Sequence, residues 1–135
     1  MAENKIRLRI VTPVRELYND EADMVIMRST SGDIGIMHGH QPLTTTLDYG
    51  VLRIMKDNED DVKAVVFGGY VDVQPKCITI LSDAAEWPDE IDVDRAQEAK
   101  ERAERRLNGN REGIDILRAE LALRRALIRI DEGRK

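Results

Sequence analysis

The hydrophobic period changes from two to 3.6 across Glu86-Trp87-Pro88-Asp89-Glu90-Ile91-Asp92-Val93-Asp94-Arg95-Ala96, and this change constrains the fold more than any other feature of the chain. Before it, apolar residues alternate with polar ones in short runs. After it, they recur on one helical face. Pro88 has no amide hydrogen and pushes Trp87 toward an extended conformation, so it ends the last strand, and Asp92 is placed to cap the helix that follows. The expectation is an α+β chain, with an antiparallel β-sandwich over residues 1–87 and an antiparallel two-helix hairpin over residues 88–135.

The strands are expected at Lys5 to Val11, Met24 to Arg28, Gly50 to Lys56, Val62 to Phe67, Tyr70 to Val73 and Cys77 to Leu81. Ile6, Leu8 and Ile10 would face inward and Lys5, Arg7 and Arg9 outward. Asp57-Asn58-Glu59-Asp60-Asp61 and Gln74-Pro75-Lys76 read as turns, with Gly68-Gly69 as a bulge or a close backbone approach. The segment from Gly32 to Pro42 reads as the one long irregular stretch of the sheet region.

Charge separates the two halves. Residues 1–91 carry 9 basic and 16 acidic side chains, a balance of -7, whereas residues 92–135 carry 12 and 10, a balance of +2. Opposite signs favour docking of one half on the other or of the hairpin on another acidic surface, and they argue against nucleic acid as a partner. No apolar block of signal-peptide length opens the chain and no run approaches the roughly 20 apolar residues of a membrane span, so the expectation is a soluble, unexported protein without direct membrane insertion.

Chemistry has no visible constellation. His38 and His40 are the only histidines, and nothing is spaced to complete a metal site with them; hydrogen bonding within a glycine-rich loop accounts for His40. Cys77 has no disulfide partner and reads as a small structural residue in a strand. Gly68-Gly69 lacks the Lys-Ser or Lys-Thr of a phosphate loop, and neither Ser29 nor Ser31 sits in a nucleophile elbow. Neither a catalytic residue nor a required cofactor is expected.

In the hairpin, Val93, Ala96, Ala99, Ala103 and Leu107 form a narrow apolar stripe on the first helix, which Asn108-Gly109-Asn110 should stop. A second helix is expected from about Glu112 or Gly113 to Ile130, with Ile114, Leu117, Leu121 and Ile128 on one side and Ile116, Ala119, Leu123, Ala126 and Ile130 on the other. Two apolar sides call for two partner surfaces. Arg118, Arg125 and Arg129 project within about 40° of one another, and the hairpin brings the start of the first helix, with Asp92 and Arg95, near the end of the second. Spacing alone favours a solvated arginine face with a capping aspartate, while arginines so grouped also suit phosphate.

Over nearly its whole length the chain resembles the epsilon subunit of the rotary ATP synthase. The resemblance lies in Gly32-Asp33-Ile34-Gly35-Ile36, Gly39-His40-Gln41-Pro42-Leu43, Leu47 with Gly50, Gly68-Gly69-Tyr70-Val71-Asp72-Val73 and Ile78 to Glu86, in that order. Ile91-Asp92-Val93-Asp94-Arg95-Ala96 is similar to the motif with which bacterial members bind ATP in the folded hairpin, and Glu86, Arg125 and Arg129 match the further ligands of such members. Trp87, beside Glu86, departs from the family pattern.

The resemblance implies a non-catalytic subunit whose sandwich joins the gamma subunit of the central stalk to the c subunits of the membrane rotor ring, at the cytoplasmic face of the cell membrane. It implies a hairpin that extends to the catalytic beta subunits and blocks hydrolysis, with ATP as a regulatory ligand that holds it folded. Asp33 is implied as a rotor-ring contact. A free-standing ATP-binding sensor or adaptor module is the alternative.

Overall fold

A computed structural model describes residues 4–109 and 115–133. The chain divides into two compact units, Met1–Glu86 and Trp87–Lys135.

The first unit holds eight strands: β1 (Ile6–Val11), β2 (Glu16–Ala22), β3 (Met24–Ser29), β4 (Gly32–Met37), β5 (Leu43–Met55), β6 (Val62–Gln74), β7 (Cys77–Leu81) and β8 (Ala85–Glu86). Their hydrogen-bonded order is β2-β1-β7-β6-β5-β3-β4, with β8 added to β6. The strands β5 and β6, 13 residues each, pair along their length. The second half of β6 pairs with β7 and its first half with β8, so the two long strands run from one layer of the sandwich into the other. Ile6, Leu8, Ile10, Ile78 and Ile80 on one side and Val25, Met27, Ile36, Leu52 and Ile54 on the other are buried and form the core.

Besides the earlier start of β5, at Leu43 rather than Gly50, and the short added strand β8, four details differ from the sequence expectation. The two runs read at Val62 to Phe67 and Tyr70 to Val73 are one strand, because Gly68 (φ +77°) and Gly69 (φ +115°) adopt the left-handed region and carry the chain through. A Cβ at Gly69 would overlap the carbonyl oxygen of Leu81, so the close approach reaches the backbone of β7. The stretch from Gly32 to Pro42 is irregular only after Met37; Gly32–Met37 pairs fully with β3. The sheet is also not wholly antiparallel, since β1 runs parallel to β7 through the register Arg7↔Cys77 to Val11↔Leu81.

The fourth difference is β2, whose polar sequence gives no strand signal. It is an edge strand whose one partner is β1, and charge holds it: Arg9 Nη2 lies 2.7 Å from Glu16 Oε2, Arg7 Nη2 lies 3.7 Å from Glu21 Oε1, and Lys56 Nζ lies 2.9 Å from Asp20 Oδ2. Just past its end, Lys5 Nζ lies 2.5 Å from Asp23 Oδ1. Hydrogen bonds from Arg9, Lys56 and Lys5 hold the carboxyls of Glu16, Asp20 and Asp23 below the usual carboxylate range. The Asp20 contact in turn raises Lys56, which also lies 5.9 Å from the centre of the Tyr18 ring.

The second unit opens with a single 3₁₀ turn, Pro88–Glu90, followed by α1 (Val93–Asn108) and α2 (Ile116–Gly133). Helix α1 stops at Asn108, where Gly109 is extended (φ -92°) and its N–H still reaches the Arg105 carbonyl at 3.0 Å. The expected start of the second helix at Glu112 or Gly113 lies outside the described residues, and its end falls at Gly133 rather than Ile130. Ala96 and Ala103 are buried on α1, as are Ala119 and Ala126 on α2. The sevenfold spacing puts each pair on one face, and small side chains there let the helix axes approach closely. Leu117 remains 65 % exposed, so the side of α2 that carries it is covered only in part.

Candidate functional site

Of the expected ligand residues, Ile91, Asp92, Arg95, Ala96 and Arg129 fall toward one end of the hairpin, Arg125 at the middle of α2, and Glu86 outside the hairpin. Glu86 belongs to the first unit, where it ends β8 opposite Val65. The others lie in the second unit, whose entry is held by its own backbone. Trp87 donates its N–H to Glu90 Oε1 at 2.9 Å, Glu90 N–H returns to the Trp87 carbonyl at 3.0 Å, and Ile91 N–H reaches the Pro88 carbonyl at 3.2 Å. Ile91 is thereby fixed extended before Asp92.

Asp92 caps α1: its Oδ1 accepts the Arg95 N–H at 3.0 Å, and its carbonyl accepts Ala96 N–H at 3.0 Å. The cap uses one carboxylate oxygen, and the Asp92 side chain is exposed. Arg95 is exposed, whereas Ala96 is buried between the helices.

The far end of α2 meets this turn. A Cβ built on Gly133 would lie 2.7 Å from Val93 Cγ2 and 3.0 Å from Ile91 Cγ2, so the last turn of α2 rests on the two residues that flank Asp92. Helix α2 also packs on the 3₁₀ turn. Counting back from Gly133 at 1.5 Å per residue, Arg129 and Arg125 stand about 6 and 12 Å along α2. Both are half-buried; Arg129 stands near the end of α2 that meets the Asp92 turn, and Arg125 stands at the middle of the helix. Two guanidiniums, a capping carboxylate with an unused oxygen and the first turn of a helix can receive a ligand that combines phosphates with hydrogen-bonding edges. Arg118 is the third residue of α2, in its first turn, at the opposite end.

Asp33 is placed differently from its expectation. It lies in β4, directly opposite Arg28 of β3, and not in an irregular loop; Arg28 Nε donates to Asp33 Oδ1 at 3.1 Å. The true loop after β4 is tied down by Gly39 N–H to the Pro75 carbonyl at 2.7 Å and by the His40 ring, whose Nδ1 lies 2.7 Å from the Gln41 carbonyl. Among the described residues no three His, Cys, Asp or Glu side chains gather in a way that would hold a metal ion. Cys77 is half-buried, with Sγ 3.9 Å from Thr79 Oγ1.

Sequence reasoning missed one surface. Val11, Thr12, Pro13, Gly69, Tyr70, Leu81, Ser82 and Asp83 line an open cleft of about 440 Å³ on the sandwich, with Tyr70 62 % and Leu81 53 % exposed. Tyr70 and Leu81 are cross-strand partners pointing outward from strands whose other face is core. Apolar residues in the outward phase of an alternating strand were the available signal.

The chain matches two family models end to end. Residues 5–88 match the β-sandwich domain of the ATP synthase delta/epsilon chain and residues 89–131 its long α-helix domain. The chain belongs to the ATP synthase epsilon family. It is 46 % identical over 127 residues to the ATP synthase epsilon chain of Halalkalibacterium halodurans, covering 93 % of this chain and 95 % of that one. Against the epsilon chain of Natranaerobius thermophilus it is 42 % identical over 135 residues, covering 99 % and 96 %. As a member of this family it is a non-catalytic subunit of ATP synthase.

The fold recurs in solved assemblies at low identity. A chain of the Euglena gracilis mitochondrial ATP synthase, in a structure of OSCP, F1 and the c-ring, superposes with a TM-score of 0.78 at 22 % identity, over 96 % of this chain and 79 % of that one. A chain from the central stalk and c-ring of the Tetrahymena thermophila enzyme gives 0.63 at 17 %, over 97 % and 98 %. Among the described residues no helix is long and apolar enough to cross a membrane.

Proposed function

We propose that this chain is a central-stalk subunit which links the gamma subunit to the c subunits of the rotor ring and restrains ATP hydrolysis through its helical hairpin. In this reading ATP binds the folded hairpin through Asp92, Arg95, Arg125 and Arg129, with Ile91 and Ala96 shaping the site. Bound ATP then holds the hairpin folded. When the hairpin extends, the arginines of α2 become available to an acidic segment of the catalytic beta subunits. A ligand that occupies them withholds them from that contact.

The observation that carries this reading is the meeting of Gly133 with Ile91 and Val93, which brings the end of α2 nearest Arg129 to the capped first turn of α1. The alanine seam supports it: the apolar side chains fully buried there, Ala96, Ala103, Ala119 and Ala126, are small, which suits a hairpin whose state a ligand can decide. Rotor and stalk docking fall to the sandwich, whose exposed Tyr70–Leu81 cleft suits an apolar partner surface. The complex would hold the chain peripherally at the cytoplasmic face of the cell membrane.

The test is an ATP synthase assembled with the chain ended after Trp87. The expected result is normal incorporation, preserved coupling and faster ATP hydrolysis than with the full chain. Loss of incorporation, or hydrolysis unchanged by removal of the hairpin, would refute the division of labour.

A further inference from the structure

Gly133 is the last residue of α2, and glycine is a poor choice for a helix position because it stiffens the backbone less than alanine does. Its backbone does not require glycine, since no left-handed φ occurs there. Its surroundings do. An added Cβ would stand 2.7 Å from Val93 Cγ2, 3.0 Å from Ile91 Cγ2 and 3.3 Å from Ile91 Cβ. The first of these is closer than carbon atoms approach without displacement, and both neighbours are β-branched, with stiff side chains that yield little. Both are also anchored, Ile91 by its N–H to the Pro88 carbonyl and Val93 as the first residue after the Asp92 cap.

We propose that Gly133 is the positioning residue of the folded hairpin: by presenting bare backbone it lets the last turn of α2 seat on Ile91 and Val93, and this seating sets how far Arg129 and Arg125 stand from Asp92 and Arg95. A side chain at 133 acts as a wedge. It parts the helix ends, lowers the share of hairpins that are closed, and raises the ATP concentration needed to hold them closed. The seating follows from the geometry alone, while the effect on ATP rests on the function proposed above. If a wedge leaves one hairpin in ten closed, the apparent dissociation constant rises about tenfold, since a ligand's affinity falls with the fraction competent to bind it.

The test uses the full chain as wild type and as Gly133→Ala, Gly133→Val, Val93→Ala and the Gly133→Ala/Val93→Ala pair. Helical circular dichroism is first followed on heating without nucleotide. Helix propensity by itself would raise the melting temperature of Gly133→Ala, whereas the wedge lowers it, lowers it further in Gly133→Val, and loses part of its effect once Val93 is cut back. A higher or unchanged melting temperature in Gly133→Ala overturns the seating. Calorimetry with ATP then separates the two layers. Binding to the wild type that weakens about tenfold or more in Gly133→Val supports the whole inference; equal binding by the two overturns the link to affinity. Absence of binding to the wild type overturns the ATP reading and leaves the melting result to judge the seating.

Discussion

Arg28 and Asp33 face each other across the β3–β4 hairpin, with Arg28 Nε 3.1 Å from Asp33 Oδ1. Both side chains are more than half exposed, so the pair contributes only about 0 to 1 kcal/mol to the fold. The pairing changes how Asp33 must be tested as a rotor-ring contact. Asp33→Arg sets two guanidiniums side by side and disturbs the hairpin locally, whereas Asp33→Asn removes the charge and keeps the shape. The account expects Asp33→Asn to fold as the wild type does and to weaken association with the ring, measured as retention of the chain on purified rotor rings at physiological salt. Unchanged retention would remove Asp33 from the contact.

Two glycines, Gly39 in the loop after β4 and Gly69 within β6, predict a contrast. Gly69 and Gly39 both have positive φ, yet a Cβ at Gly39 meets nothing within 4 Å, whereas one at Gly69 overlaps the Leu81 carbonyl oxygen. Gly39→Ala should therefore lose only the left-handed backbone term, roughly 1 to 2 kcal/mol. Gly69→Ala adds a clash with backbone that cannot rotate away, and should cost more than about 3 kcal/mol or prevent folding. Urea denaturation of the two variants measures the difference. Equal costs would mean that β7 shifts freely at Leu81.

Acid should loosen the β2 edge first. The carboxyls of Glu16, Asp20 and Asp23 are lowered in the folded chain, chiefly by hydrogen bonds from Arg9, Lys56 and Lys5. A lowered folded value gives stability that is present above the unfolded pKa, about 4, and is lost as pH falls through the folded value. Lys5 and Lys56 are raised by the same contacts and stay charged throughout the acid range, so the pairs are lost by protonation of their carboxyl partners. Melting temperature should be flat from pH 7 to about 5 and fall below about 4. The fall should be shallower in Asp23→Asn, which has one of these carboxyls fewer to protonate.

The strands β1, β3 and β7 were legible because each alternates core and solvent positions, as Ile6, Leu8 and Ile10 do against Arg7 and Arg9. Strand β2 was not, because Glu16–Ala22 owes its conformation to pairing with β1 and to ion pairs whose partners lie elsewhere in the chain. Strand β4 hid behind Gly32 and Gly35, which interrupt the alternation that Ile34 and Ile36 otherwise carry. At the hairpin end, the Asp92 cap could be read from residue type and position, since capping is local. Gly133 could not, because its role is a contact with Ile91 and Val93, some forty residues away in sequence. The outward Tyr70 and Leu81 needed the register of β6 on β7 before they became one surface.

Calorimetric titration of ATP into the full chain, set beside the same titration of Asp92→Ala and Arg125→Ala, decides whether the hairpin binds ATP through these residues. A ligand at 100 times its dissociation constant stabilises the form it binds by about 2.7 kcal/mol, enough to reverse a marginal hairpin equilibrium. The account predicts one ATP bound per wild-type chain, a matching rise in the melting temperature of the helical signal, and loss of both in each variant while helix content at low temperature stays unchanged. Wild-type affinity in both variants would contradict it: the end of the hairpin would then not be the ATP site, and the arginines would serve the extended state alone.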